Sequence, residues 1–285
     1  MLAVTRATPF DPTSDLPLRI NANLVADWLV EFLRDECIRR RKIGKAVLGL
    51  SGGVDSAVVA FLASRAFGPE NVHAIRMPYK ISSAESLDHA QLVIDQLGIQ
   101  DRTIEITGMV DGYVAHEPDM SGARIGNVCA RSRMIVLFDL SAKLGALPIG
   151  TGNKSERLFG YFTWHADDSP PINPLGDLFK TQVWQLARAL GVPDVIVDKP
   201  ASADLIKGQT DESDFGITYA RADRILHYLV RGYSRSKLLE LGFPEADVDL
   251  VWKKVDGTHW KRRLPTVAMM STSAIGEYYL RPVDY

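Results

Sequence analysis

The sequence predicts an α/β fold of the doubly wound kind, a parallel sheet with helices on both of its faces. Three observations carry that expectation. Residues 45–50 (KAVLGL) form a short apolar run of the sort found in buried parallel strands, with a glycine turn and an apolar helix from Val54 to about Phe67 directly after it. The same alternation returns downstream: strand at 72–77, helix at 83–97, strand at 102–106, long helix at 127–144, buried strand at 146–150. No repeat, low-complexity tract or linker interrupts it.

The elements follow in order. Residues 1–19, broken by prolines, read as an irregular N-terminal arm, and residues 20–285 as a single domain. From Asn21, apolar residues Leu24, Trp28 and Phe32 recur every fourth position beside Val25 and Leu29, which marks an amphipathic helix running toward Arg39. Beyond Phe159 the pattern changes. Loops rich in Asp, Pro and Gly at 165–176 and 198–216 separate helices expected near 178–190, 219–231 and 244–254.

Bulk properties exclude several classes. With 285 residues, 46% hydrophobic and 24% charged, the chain can bury a core without disulfides or a structural metal. A formal net charge of -2 with scattered Lys and Arg argues against nucleic acid. Cys37 and Cys129 lie far apart and outside any CxxC pair, so both are expected as small core residues in a reducing compartment. The six histidines form no HxxxH pair. His165 and His259 fall in loops and the others are expected on the surface. Neither a signal peptide nor a stretch of about 18 apolar residues is present, so the chain is expected in the cytoplasm and off the membrane.

The chemistry is written most clearly in Gly49-Leu50-Ser51-Gly52-Gly53-Val54-Asp55-Ser56. Two glycines let the backbone turn tightly and approach a ligand, and the unpaired N–H groups at the following helix start favour phosphate. Ser51 and Ser56 add hydroxyls. Asp55 would repel phosphate unless a Mg²⁺ lies between them. A plain helix start capped by Ser and Asp is the alternative. Neither GxxxxGK[ST] nor GxGxxG occurs in this loop.

The loop resembles the SGGxDS segment of N-type ATP pyrophosphatases, which adenylate an oxygen acceptor and release pyrophosphate. Four further segments resemble the NAD synthetases of that group: Gly126-Asn127 through Met134, Gly150-Thr151-Gly152-Asn153-Lys154-Ser155-Glu156, Asn173-Pro174 through Val183, and Ser202-Ala203-Asp204-Leu205 followed by Gln209-Thr210-Asp211-Glu212. The resemblance implies ATP-dependent amidation of deamido-NAD with ammonia through an NAD-adenylate; the alternatives are another adenylating amide ligase with the same loop and a non-catalytic nucleotide-binding protein. ATP would contact the glycine loop, Arg76, Thr151, Lys180 and Ser202. Asp55 and Glu156 would hold Mg²⁺, and Lys180 would neutralise the leaving phosphates. Arg131, Asp167, His259 and Lys261 would bind deamido-NAD, with Asp167 also receiving the ammonium and Asp168 the alternative for the family's acidic residue. Read without the resemblance, Arg131 is a solvated helix charge, Glu156 a charge at a helix N-terminus, Lys180 a surface lysine and Ser202 a turn cap.

Two departures fall on the dinucleotide side. Relatives carry a lysine and a glycine-rich acidic loop after GYFT, whereas here Gly160-Tyr161-Phe162-Thr163 leads into Trp164 and then Ser169-Pro170-Pro171. Relatives carry His-Lys-Arg near the C-terminus, whereas Trp260 separates His259 from Lys261 here. Either tryptophan offers a stacking surface for an aromatic ring. Only about 45 residues precede the core and neither cysteine has a nucleophile's setting, so direct use of ammonia is expected. The family is dimeric, and the apolar helix 127–144 is the expected homodimer face.

Overall fold

The computed structural model describes residues 10–202, 210–263, 266–268 and 270. Its sheet has four parallel strands, β1 (Ala46–Gly49), β2 (Val72–Arg76), β3 (Gln100–Thr103) and β4 (Leu147–Pro148), in the order β3-β2-β1-β4. The chain steps outward from β1 to β2 to β3 and then returns to lay β4 on the other side of β1. The order therefore reverses between β1 and β4, and ligands bind in open sheets outside the C-terminal ends of strands at such a switch point.

Side-chain alternation gives β1 and β2, the central strands, two buried faces. Ala46 and Leu48 of β1, with Val72 and Ala74 of β2, pack under α1 (Ala22–Leu33), α2 (Val54–Phe67), α3 (Ala84–Leu97) and α7 (Lys180–Leu190). Val47 and Ile75 point the other way, against α4 (Thr107–Val114) and α5 (Gly122–Leu144), where Val110, Cys129, Val136 and Leu140 are buried. A third apolar cluster lies beyond the sheet, where Phe159, Phe179, Phe215, Tyr219, Leu226 and Val251 pack together. It joins α6 (Lys154–Phe159), α9 (Asp211–Phe215), α10 (Tyr219–Leu229), α11 (Arg235–Glu240) and α12 (Glu245–Gly257). The short α8 (Asp194–Val197) follows α7.

Helix starts obey capping chemistry. Asn21, Ser83 and Ser121 each accept a bond from the backbone N–H three residues on, at 3.2, 3.3 and 3.4 Å. After α1 the coil continues as a π-helical stretch, Arg34–Arg40, which carries buried Cys37.

Several expectations shift. β3 begins at Gln100 rather than 102, because its four exposed polar residues give no apolar signal. The apolar Ile104 and Ile106 come after it, their N–H groups donating to Arg76 O and Pro78 O, both at 2.9 Å. β4 is only two residues long, and Pro148, which has no N–H to donate, faces away from β1: Leu147 and Ile149 donate to Lys45 O and Val47 O at 2.8 and 3.0 Å. The edge is then extended by Ile149, bridged to Ile172. α5 starts five residues before 127, at Ser121's cap. Residues 10–19 of the N-terminal arm include a 3-10 turn at Leu16–Leu18 and are anchored: Leu18 is buried, Gln185 Nε2 donates to its carbonyl at 3.1 Å, and Asp15 pairs with Arg224 at 2.7 Å. Among the histidines, His89 is buried on the inner face of α3, not at the surface. Both cysteines are buried and free. Among the described residues no helix is long and apolar enough to cross a membrane.

Candidate active site

The glycine loop leaves β1 at the switch point. Leu50 still belongs to the ladder, its N–H donating to Ile75 O at 2.9 Å. Gly52 then takes φ +80°, and a Cβ there would lie 2.1 Å from the carbonyl oxygen of Ser86. Only glycine fits this turn. Ser51 and Ser56 close the loop on itself. Ser56 Oγ receives the Ser51 N–H at 3.2 Å, donates to Gly53 O at 3.0 Å, and sits 3.1 Å from Ser51 Oγ. Gly53 is the N-cap of α2 with no side chain to satisfy the helix start, so the N–H groups of its first turn remain available to an anion.

Asp55, in the first turn of α2, points toward the end of β4 rather than along its own helix. Asn153 Nδ2 donates to its Oδ1 at 3.0 Å, and Lys180 Nζ donates to its Oδ2. Asn153 caps α6 in a reciprocal capping box with Glu156: the Glu156 N–H donates to Asn153 Oδ1 at 3.0 Å and the Asn153 N–H to Glu156 Oε2 at 3.2 Å. Glu156 Oε1 lies 3.6 Å from Lys180 Nζ. Three residues from α2, α6 and α7, distant in sequence, thus meet at one ammonium.

Burial decides the electrostatics. Lys180 is 2% exposed, with its ammonium 5.4 Å from the centre of the Tyr219 ring. Desolvation alone would lower its pKa, but the carboxylates of Asp55 and Glu156 outweigh this and hold the ammonium firmly charged. Glu156 is pushed up to about 8, first by desolvation and then by the negative charge of Asp55. Asp211 is buried beside this group and its pKa is raised mainly by desolvation. It accepts from Tyr219 Oη at 3.0 Å through Oδ2, while Oδ1 is buried without a hydrogen-bond partner among the described residues. The centre has more carboxylate than ammonium and favours additional positive charge.

The donor set suits Mg²⁺. Two carboxylates converge on the point where Lys180 Nζ sits, and Mg²⁺ is commonly bound by one or two carboxylates plus phosphate oxygens and water. Among the described residues no group of three or more acidic, His or Cys side chains forms an all-protein cage.

The remaining sequence-predicted residues divide into three sets. Thr151 lies in the loop between β4 and α6, two residues before the Asn153 cap. Arg76 ends β2 one strand over, its guanidinium bound to Asp101 at 2.5 Å and Gln91 at 2.6 Å. Ser202 is exposed at the border of 203–209, and Ala203, Asp204, Leu205 and Gln209 lie outside the described residues. Three of the dinucleotide candidates, Arg131, Asp167 and Lys261, gather separately, around the loop after Phe159. Arg131 Nη2 donates to Trp164 O at 3.1 Å. Asp167, exposed, accepts the Thr163 N–H at 2.6 Å. Lys261 Nζ donates to Gly160 O at 2.6 Å and Phe162 O at 2.5 Å. His259 Nδ1 is 2.7 Å from Asp256 O. Trp164 and Trp260, the two departures, meet edge to face with centroids 5.3 Å apart.

Sequence reasoning assigned no role to Asn153, Ser155 or Asp223. A signal for Asp223 exists: Tyr219, Ala222 and Leu226 mark a helical apolar face, and a carboxylate stands at an apolar position of it.

The family model described as NAD synthase matches residues 25–265. An NH(3)-dependent NAD(+) synthetase of Trichlorobacter lovleyi is 49% identical, the match covering 90% of this chain and 94% of that protein. One from Chlorobaculum parvum is 46% identical, covering 91% and 94%. Among solved structures, an NMN synthetase from Francisella tularensis superposes with TM-score 0.78 at 30% identity, covering 88% of this chain and 99% of that one. The NH3-dependent NAD synthetase from Campylobacter jejuni gives 0.76 at 29%, covering 87% and 100%.

Proposed function

The chain belongs to the NAD synthase family, and from that membership we propose that it makes NAD from deamido-NAD, ATP and ammonia. The observation that carries the reading is the Lys180 ammonium held between Asp55 and Glu156 beside the glycine loop.

In this reading the triphosphate lies on residues 49–56, with Thr151, Ser202 and Arg76 around the nucleotide. Asp55 and Glu156 hold Mg²⁺, which when bound neutralises phosphate charge. A carboxylate oxygen of the nicotinate group attacks the α-phosphorus. The bond to the bridging oxygen breaks, and pyrophosphate leaves with its electron pair. Lys180 stabilises the charge that develops on that leaving group, in a site too dry for water to do so. Ammonia then attacks the acyl carbon, AMP departs with the former carboxylate oxygen, and nitrogen loses a proton. Arg131, His259 and Lys261 orient the dinucleotide, and Asp167 receives the ammonium. The protein acts mainly by positioning and charge neutralisation.

Residues 20–285 act as one catalytic domain, and the enzyme works in the cytoplasm as a homodimer. Support for the dimer comes from Ile135 and Phe138, one helical turn apart on α5 and both exposed, and from Met109 and Tyr113, exposed on α4.

The likeness to a protein named as an NMN synthetase favours one second reading, in which the acceptor is a mononucleotide acid. Incubating the protein with Mg-ATP, ammonium and either deamido-NAD or nicotinate mononucleotide separates the two. The primary reading predicts pyrophosphate and amide product in equal amounts with the dinucleotide, and much slower turnover with the mononucleotide. Faster turnover of the mononucleotide would establish the second. Pyrophosphate release with neither acid present would oppose both. Rates with glutamine equal to those with ammonium would refute direct use of ammonia.

A further inference from the structure

Asp223 is a wholly buried carboxylate on α10, on a helix face otherwise made of Tyr219, Ala222 and Leu226. Packing alone would be met there by an apolar side chain, and a buried carboxylate is costly unless its lone pairs are used. They are used on two segments. Oδ1 accepts from Ser155 Oγ at 2.6 Å. Oδ2 accepts from the Thr181 N–H at 3.0 Å and from Thr181 Oγ1 at 2.9 Å. Ser155 Oγ in turn accepts the N–H of Lys180 at 2.9 Å. Ser155 is the neighbour of Glu156, and Thr181 is the neighbour of Lys180.

We infer that Asp223 is a positioning residue for the reaction, gripping the start of α7 and the first turn of α6 so that Lys180 reaches Asp55 and Glu156. The inference rests on the role proposed for Lys180. Asp223 touches neither Asp55 nor Glu156 through any hydrogen bond or ion pair between described residues. Its influence runs through the backbone of Lys180 and the hydroxyl of Ser155. Desolvation pushes its pKa up to about 6, while the bonds from Ser155 and Thr181 oppose that shift. The carboxylate is therefore charged at neutral pH, the form that can accept all three bonds. The connection joins the third apolar cluster to the switch point of the sheet, so α10 is structurally tied to the reacting centre.

The test is a double-mutant comparison. Asp223→Asn keeps the volume but leaves one acceptor oxygen where two are needed. Thr181→Val is nearly isosteric and removes a single donor, and it carries the same comparison if D223N does not fold. Each is made in wild type and in Lys180→Met, and kcat for pyrophosphate release, KM for ATP and Tm are measured. Acting through Lys180 predicts that D223N lowers kcat about 30-fold and T181V about 5-fold, with KM for ATP within about 3-fold. In the K180M background each costs less than about 2-fold, because residues that work as a unit are not additive. Equal fold losses in both backgrounds would mean a purely structural role and overturn the inference, as would wild-type kcat in D223N or in K180M. Failure of the wild-type protein to form amide would count against the proposed function instead, and is read in the same assay.

Discussion

Lys180 and Glu156 set opposing demands on the same few ångströms. The lysine is stabilised as a cation by both carboxylates, while Glu156 is costly to ionise because it is desolvated and faces Asp55. Lys180→Met is expected to lower kcat by about 10²–10³-fold with ATP still bound, measured as single-turnover pyrophosphate release. Glu156 has a stability consequence. Its pKa rises from an ordinary 4.5 unfolded to about 8 folded, so the folded protein binds a proton more tightly across that window. Its contribution is fully present below the unfolded value and is lost as pH rises through the folded one. Nucleotide-free wild type should therefore lose stability relative to Glu156→Gln by up to about 1 kcal/mol per pH unit between about pH 5 and 8. Parallel thermal melts of the two proteins check this, and identical pH slopes would contradict it. At this scale the sequence was informative where motifs carried chemistry: Asp55, Glu156 and Lys180 were named from it, and they meet. Asn153 and Asp223 were not, because each looks like an ordinary cap or helix residue until its distant partner is placed beside it.

The elements that hold the site are short and depend on their ends. The turn after β1 exists because Gly52 adopts a left-handed backbone against Ser86. Gly52→Ala is expected to destabilise the protein by about 2 kcal/mol or more and to weaken ATP binding together with it. Urea melts and a nucleotide titration measure both, and an unchanged midpoint would contradict the role given to this turn. α2 occupies the predicted 54–67 because its apolar residues continue all round the helix, as expected of one buried on every side. β3 and β4 were less legible for opposite reasons. β3 has polar, exposed residues at the sheet edge, whereas β4 has an apolar run interrupted by Pro148. The start of α5 was hidden by Gly122 and Gly126, poor helix formers that the Ser121 cap and later packing override. The small helices α4, α6, α8, α9 and α11, each eight residues or fewer, carry too little periodicity to be read.

At the scale of the molecule, a four-stranded sheet and the apolar cluster beyond it meet at the C-terminal ends of β1 and β4, and the charged centre lies at that junction. The doubly wound architecture followed directly from the strand–helix alternation. The separate cluster around Phe215 and Tyr219 did not, since it is assembled from short helices across 159–251. The apolar surface of α4 and α5 predicts self-association: Ile135→Glu with Phe138→Glu should shift the protein toward monomer in sedimentation equilibrium, and an unchanged mass would place the interface elsewhere. The proposed chemistry rests on attack of a substrate carboxylate oxygen at the α-phosphorus, which isotope transfer follows directly. With deamido-NAD labelled by ¹⁸O in its carboxylate, one labelled oxygen should appear in the phosphate of AMP and none in pyrophosphate. Label in pyrophosphate or inorganic phosphate, or AMP formed without label, would contradict adenylation as the step this site performs.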